Sequence, residues 1–108
     1  AFETLIAAHP AVTAVLCGND VLAAGALMAA RRRGIGVPGD VSVTGFDDID
    51  LAAVTDPGLT TVHVPHRRMG DAAARALLAL RDGGSVPEPT AFATRIVARG
   101  SLGRPRHP

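Results

Sequence analysis

Short, continuous apolar runs alternate along the chain with longer segments in which apolar residues recur at helical spacing. The short runs are rich in β-branched residues and predict strands at 12–17, 41–45, 59–64 and within the extended segment 90–101. The first of them, VTAVLC, has no polar alternation, which predicts a strand covered on both faces. The remaining segments predict helices: one through Phe2, Leu5 and Ile6, one over 21–33, a brief turn within 48–58, and one over 65–82.

This order of elements predicts an α/β fold with a parallel sheet and helices on both of its faces. In such sheets, ligands bind outside the carboxyl ends of the strands. Two of the predicted strands end in polar residues, because VLC is followed by GND and VTG is followed by FDD. If both strands run parallel, Asn19, Asp20, Asp47 and Asp48 emerge on the same rim of the sheet.

The residues of this rim have different predicted roles. Asp47 is expected to accept hydrogen bonds from a polyhydroxylated or amine-bearing small molecule, since an ionised carboxylate can serve two adjacent hydroxyls; plain loop solvation is the alternative. Asn19 is expected to bind the same molecule beside Asp47, because an amide both donates and accepts hydrogen bonds. The alternative is that Asn19 is only a turn residue at the strand end. Asp20 is expected to cap the helix that follows it. Asp48 and Asp50 are expected to be solvated loop residues.

The same residues do not predict an enzyme or a metal site. Neighbouring carboxylates on an extended segment point in opposite directions, so Asp47 and Asp48 do not form an acid–base pair. Their spacing does not match a calcium loop, and His63 and His66 lack a matching Cys/His pair for zinc. Cys17 lies in a predicted strand without an activating base. We therefore expect no catalytic residue, no metal and no cofactor.

Composition narrows the class further. The 108 residues are 47% apolar but only 3% aromatic, so the elements should pack closely through small side chains. A net charge of +1 gives no reason to expect a nucleic-acid or membrane surface. No apolar run reaches the length of about 20 residues that spans a bilayer. A single cysteine fits a reducing cytoplasm, and the opening residues read as a helix already in progress, which indicates a fragment.

The order of several motifs resembles one family. The landmarks are ND at a strand end, GVPGDVSVTGFDD at 36–48, PGLTTV at 57–62, a helix opening near Met69, and a closing Arg99–Ser101 segment. Together they are similar to the C-terminal part of the effector-binding core of LacI/GalR-family transcriptional regulators. The resemblance covers nearly the whole chain.

The resemblance implies a type I periplasmic-binding-protein-like subdomain in which residues 1–108 form the C-terminal portion. The helix-turn-helix domain and the N-terminal subdomain would be absent, so operator DNA would be bound only through the missing part. In the family, the ND motif and the first Asp of GFDD contact a sugar or purine effector, and these roles fall on Asn19 and Asp47. Homodimers form through the segment after GFDD, which makes Leu51, Ala53 and Val54 interface candidates; ordinary core placement is the alternative.

The function implied is that of the effector-sensing and dimerisation part of a cytoplasmic bacterial regulator that is not an enzyme. A periplasmic sugar-binding receptor of a transport system shares the fold and is the alternative. The segments VPGDVSV and PGLTTV look like the repressor branch and favour the regulator. The sequence upstream would discriminate the two, since a regulator has a helix-turn-helix and a receptor has a signal peptide.

Overall fold

The computed structural model describes residues 1–85, 88 and 91–105, and these form two compact units. The first unit comprises residues 1–63 with the segment from Arg95 onward, and the second comprises Val64–Thr94. The elements are α1 (Phe2–Ala8), β1 (Ala14–Leu16), α2 (Asp20–Arg32), β2 (Ser42–Thr44), α3 (Asp50–Val54), β3 (Thr61–His63), α4 (His66–Arg81) and β4 (Arg95–Val97). The predicted element order is confirmed, although the start of the predicted final extended segment, at residue 90, lies outside the described residues.

Parallel pairing organises the sheet of the first unit, as predicted. β1 pairs in parallel with β2, and two isolated parallel bridges, Thr44 to Thr60 and Asp47 to His63, link β2 and the segment after it to β3. β4 then returns antiparallel beside β3. An antiparallel edge strand on an otherwise parallel sheet is common in α/β folds, but the alternation of strands and helices does not predict it.

Helix α2 begins at a side-chain cap that differs from the predicted one. The Oδ1 atom of Asn19 accepts a hydrogen bond of 2.8 Å from the backbone N–H of Leu22, so Asn19 and not Asp20 is the N-cap. Asp20 is the first helical residue and is completely buried. The helix ends as predicted before Gly34, which has a positive φ of 67°.

The core of the first unit is built largely from small side chains, as the scarcity of aromatic residues predicts. Helix α2 contacts α1, α3 and β2 through its alanine-rich face. The buried core consists of Phe2, Ala23, Ala26, Leu27, Ala29, Ala30, Val41, Val43, Ala52 and Leu59. Small residues let a helix approach a sheet closely, and a core packed in this way tolerates added volume poorly.

Strand β1 is not covered on both faces within the described residues, so that prediction is wrong for this chain. Ala14 is exposed and Leu16 is 80% exposed. The physical reason is that the two exposed side chains share one face of β1, over which the described residues place no covering element, whereas Val15 on the other face is half-buried. An apolar run predicts which side chains avoid water, but not whether the covering elements are present.

The second unit consists mainly of α4, whose extent matches the prediction closely. The helix is followed by Gly83 with a positive φ of 81°, and none of its residues is buried. After it, the ring of Phe92 lies 5.9 Å from the guanidinium carbon of Arg68. No helix among the described residues is both long and apolar enough to cross a membrane.

Candidate functional site

Asp20 joins the ends of three strands from the interior of the first unit. Its backbone N–H donates to the carbonyl oxygen of Phe46 at 2.9 Å, and its Oδ2 accepts from the backbone N–H of Ile49 at 2.9 Å. Its Oδ1 accepts a short hydrogen bond from the hydroxyl of Thr61. The loop after β1, the loop after β2 and the start of β3 are therefore fixed to one carboxylate. Asp20 therefore lies at the predicted rim, but its side chain is buried there and does not emerge into solvent.

Gly45 makes room for this carboxylate. A Cβ atom at position 45 would lie 3.0 Å from the Cδ2 of Leu59 and 3.1 Å from the Cα of Asp20, and it would collide with the Asp20 carboxylate oxygen. Only a residue without a side chain lets the end of β2 pass this close. The break that the glycine makes in VSVTG was thus a usable signal of a close approach.

Asp47 and Asp48 hold an unusual backbone conformation in the loop after β2. Asp47 has a φ of 110° and Asp48 has a φ of 57°. Both angles lie in the positive-φ region, which residues other than glycine seldom adopt. Such residues cost on the order of 1–3 kcal/mol each, and they persist where surrounding contacts hold them. The backbone N–H of Asp47 donates to the carbonyl oxygen of Val62 at 2.9 Å, which ties the loop to β3.

The Asp48 side chain is the centre of a charged cluster and is not a solvated loop residue, so that prediction is wrong. Its Oδ1 accepts from Nη2 of Arg99 at 2.7 Å, and its Oδ2 lies 3.0 Å from Nδ1 of His63. Only 13% of the Asp48 side chain is exposed. Fifty-one positions separate Asp48 from Arg99, so local sequence could not reveal the pair.

The partners of Asp48 also set its protonation. Burial by itself raises the pKa of the Asp48 carboxyl, but the hydrogen bonds and charges of Arg99 and His63 together outweigh burial and lower that pKa below its ordinary value. Asp48 is therefore ionised at neutral pH, and the cluster is a charge-assisted one.

Arg99 and Ser101 attach the end of β4 to the rest of the site. Nη1 of Arg99 donates to the carbonyl oxygen of Leu59 at 2.8 Å, and its backbone N–H donates to Oγ1 of Thr60 at 2.8 Å. The buried hydroxyl of Ser101 accepts from the backbone N–H of Thr60 at 2.8 Å and donates to the carbonyl oxygen of Val43 at 2.6 Å. The Arg99–Ser101 landmark of the sequence is thus a clamp across β2 and β3.

The two predicted effector ligands lie in loops that the structure brings together. The loop that carries Asn19 and the loop that carries Asp47 are joined by the bonds of Asp20 to Phe46 and Ile49. Asn19 uses its carbonyl oxygen as the helix cap, a role that does not engage the amide NH2 group. Both predicted ligands are partly exposed. The two loops could therefore present a carboxylate and an amide donor to one small polar molecule.

Helix α3 presents the predicted interface residues outward. Leu51, Ala53 and Val54 are exposed, Val54 to 78%, whereas the intervening Ala52 is fully buried. This exposure is consistent with the predicted interface role, which stays a prediction. Asp50, in the first turn of α3, is exposed, as was expected of a solvated residue.

The described residues were also compared with the requirements of a nucleophilic cysteine and of a metal site. Cys17 is half-buried, and burial raises the pKa of its thiol, which makes it a poorer nucleophile. Among the described residues, no group of three or more His, Cys, Asp or Glu side chains is placed to hold a metal ion.

Comparisons with known proteins agree with this geometry. The family profile of the periplasmic binding protein-like domain matches residues 1–102. The HTH-type transcriptional regulator MalR of Streptomyces coelicolor is 51% identical over 92 residues, which cover 82% of this chain and 26% of MalR. The transcriptional regulator CelR in complex with cellobiose superposes with a TM-score of 0.86 at 32% identity, over 94% of this chain and 31% of CelR.

A third similar structure is the lac repressor dimer bound to operator and to the anti-inducer ONPF. It has a TM-score of 0.83 and 30% identity, over 94% of this chain and 35% of the repressor chain. The fold and the profile define a periplasmic binding protein-like domain. The chain belongs to the LacI/GalR family of transcriptional regulators, as part of their effector-binding domain. It spans about a quarter of the length of MalR.

Proposed function

We propose that this chain is the effector-sensing and dimerisation part of a bacterial LacI-type regulator that acts in the cytoplasm and has no enzymatic activity. A small metabolite, a sugar in preference to a purine, binds at Asn19 and Asp47 and alters operator binding by a DNA-binding domain elsewhere in the protein. The similar proteins support this reading, since MalR is an HTH-type regulator and CelR is seen with cellobiose. The alternative of a periplasmic receptor gains no support from these regulators.

The observation that carries the proposal is the joining of two polar loops through the buried Asp20. This junction supports a common site for Asn19 and Asp47. The Asp47 carboxylate can accept from two neighbouring hydroxyls of a sugar, and the amide NH2 of Asn19 can donate to a sugar oxygen. A neutral polyhydroxylated ligand supplies both kinds of group, whereas a phosphorylated sugar would place negative charge beside Asp47 and Asp48.

Effector binding controls DNA binding only if the effector distinguishes two arrangements of the complete protein. A ligand with equal affinity for both arrangements shifts nothing. The site formed here lies in one compact unit, so the remaining effector contacts come from other parts of the regulator. Closing those parts on the ligand provides the difference in affinity that allosteric control requires.

Dimerisation is assigned to the exposed face of α3. Leu51 and Val54 are three positions apart and share one side of the helix, and Ala53 is exposed next to Val54; these three residues are the exposed strip of α3. Contiguous exposed apolar patches mark protein–protein contacts. The lac repressor, to which this chain is similar, is a dimer on its operator.

The test of the effector site is a thermal-shift screen of the complete regulator that contains this chain, with neutral disaccharides including cellobiose and lactose, and with purines. A ligand at 100 times its Kd stabilises the protein by about 2.7 kcal/mol, which gives a clear rise in Tm. We expect a sugar to raise Tm, and Asp47→Ala to abolish that rise. The matched control is Asp50→Ala, which removes an exposed carboxylate from the same segment and should leave the rise unchanged. An undiminished rise in Asp47→Ala would refute the site.

The dimer assignment has its own test. Val54→Lys places a charge on the exposed strip of α3, and we expect it to shift the complete regulator from dimer to monomer in sedimentation velocity. Met28→Lys is the control, because Met28 is exposed on α2 and is not part of the strip. Equal dimerisation of both variants would place the interface elsewhere.

A further inference from the structure

The charged cluster of Asp48, Arg99 and His63 lies directly beside the predicted ligand Asp47, but the proposed function leaves it without a role. Arg99 reaches Asp48 Oδ1 at 2.7 Å, and His63 reaches Asp48 Oδ2 at 3.0 Å. Both oxygens of one carboxylate are therefore occupied by side chains from β3 and from the segment after β4. A residue with both carboxylate oxygens occupied in this way is poorly suited to bind a ligand itself.

We propose that Asp48, Arg99 and His63 are positioning residues that hold the backbone of Asp47 in the conformation in which its carboxylate can bind the effector. This inference rests on the proposed function, because it assumes that Asp47 is the ligand-binding carboxylate. It assigns the second Asp of the FDD sequence to orientation and only the first to recognition.

The backbone of the loop supplies the reason that such a device is needed. Asp47 and Asp48 have consecutive positive φ angles of 110° and 57°. Residues with a side chain leave this region unless contacts prevent it. Asp47 is held on one side by its own N–H bond to Val62 and on the other by the side chain of Asp48. Loss of the second anchor lets the loop relax and moves the Asp47 carboxylate.

Arg99 is itself fixed, which makes it an effective anchor. Its side chain is 23% exposed and donates to the carbonyl oxygen of Leu59 as well as to Asp48. Its backbone N–H and carbonyl both bond to the hydroxyl of Thr60. A guanidinium held at several points keeps one orientation, so the carboxylate bonded to it is restricted as well.

Hydrogen exchange at the Asp47 amide tests the device without a ligand. This N–H bonds to Val62, and its exchange rate reports local opening of the loop. In Asp48→Ala we expect Asp47 to exchange at least about tenfold faster while amides of α2 keep their rates. Asp48→Asn should restore protection, because its carbonyl oxygen still accepts from Arg99 and its NH2 can donate to His63. Asp50→Ala, a neighbouring carboxylate without these partners, should change nothing.

Effector affinity of the complete regulator gives the second readout, with cellobiose as the first probe and the other disaccharides of the screen after it. We expect Asp48→Ala and Arg99→Lys to raise the Kd about tenfold, equivalent to about 1.4 kcal/mol, and Asp48→Asn to stay within about threefold of the wild type. The two carboxylates should also be coupled. In an Asp47→Asn background, Asp48→Ala should have little further effect on Kd, because the residue that it positions no longer carries the charge.

The outcomes separate failure of this inference from failure of the proposed function. Unchanged exchange at Asp47 in Asp48→Ala, or faster exchange across α2 and β3 alike, would overturn the positioning role and leave only a general contribution to stability. Additive losses of affinity in the double variant would also overturn it. If Asp47→Ala binds effector normally, the site of the proposed function fails, whatever exchange shows.

Discussion

Two carboxylates hold the two loops of the site, and they do so by opposite means. Asp20, at the loop after β1, is completely buried and bonds only to uncharged donors, a hydroxyl and a backbone N–H. Asp48, at the loop after β2, is slightly exposed and bonds to a guanidinium and an imidazole. The first arrangement holds the strand ends together from the interior through hydrogen bonds to uncharged groups. The second depends on charge, so it can respond to pH and to substitution of distant residues.

The difference has a consequence for where change is tolerated. Removing Asp20 leaves interior donors unsatisfied and should damage the whole first unit. Removing Asp48 leaves Arg99 close enough to water to be solvated, so the damage should stay near the loop. We therefore expect Asp20 to contribute to the stability of the first unit and Asp48 to the orientation of Asp47.

The largest expected effect comes from Asp20→Ala. The buried hydroxyl of Thr61 would lose its acceptor at a cost of about 1–3 kcal/mol, and the N–H of Ile49, which is nearer to water, would lose its acceptor at a smaller cost. We therefore expect a loss of about 2–4 kcal/mol in the free energy of unfolding. Urea denaturation measures it. Asp20→Asn keeps one acceptor oxygen in place and should recover part of the loss. A loss below about 1 kcal/mol would mean that the hydrogen bonds of Asp20 do not hold the strand ends together.

Gly45→Ala tests the same Asp20 contacts by adding a side chain at the residue packed against the Asp20 carboxylate. The added methyl group would collide with the Asp20 carboxylate and press on Leu59, and overpacking of this kind costs about 1–3 kcal/mol. Gly39→Ala is the control, since a Cβ there meets nothing within 4 Å. Equal midpoints for both variants in urea would show that β2 can shift freely.

Asp48 should show the pH dependence that distinguishes it from an exposed carboxylate. Its pKa is lowered in the folded state, so its stabilisation is fully present above the ordinary carboxyl pKa of about 4 and is lost as pH falls through the lower folded pKa. At pH 7, Asp48→Ala should cost about 2 kcal/mol, the range of charge-assisted hydrogen bonds. In urea denaturation at stepped pH, the difference from the wild type should shrink in acid; a constant difference would contradict the ionic cluster.

Asn19 gives the smallest effect and separates its two roles. Asn19→Ala removes the helix cap and should cost about 1 kcal/mol, whereas Asn19→Asp caps equally well and should change the free energy of unfolding by less than about 0.5 kcal/mol. Only the effector affinity should fall in Asn19→Asp, because the amide donor is lost. Equal affinity of Asn19→Asp and the wild type would leave Asn19 with the cap alone.

The sequence allowed the element order and the polar rim to be predicted, because periodicity and punctuation by glycine are local signals. The family was predicted from the resemblance of its ordered motifs. The sequence did not allow Asn19 and Asp20 to be told apart as caps, since adjacent polar residues satisfy the same rule and the choice depends on which one the interior can accept. Nor did it reveal that Asp48 is bonded, because its partner Arg99 lies 51 positions away, in the segment after β4.

Strand β1 is a second case in which the sequence pattern did not predict the burial seen in the structure. Its apolar run is typical of a central strand, yet Leu16 faces solvent in this chain. The pattern predicts burial of the strand, but it does not say which elements of the chain supply that burial.

The return of β4 has a consequence for how the site is made. The hydrogen-bond partner of Thr60 is Ser101, 41 positions later in the chain, and the partner of Asp48 is Arg99, 51 positions later. As a ribosome extends the chain, the loop of Asp47 is therefore synthesised well before the residues that fix it. Contacts between such distant positions form late because the intervening segment must first be ordered, so a nascent chain should acquire its helices before it acquires a finished site.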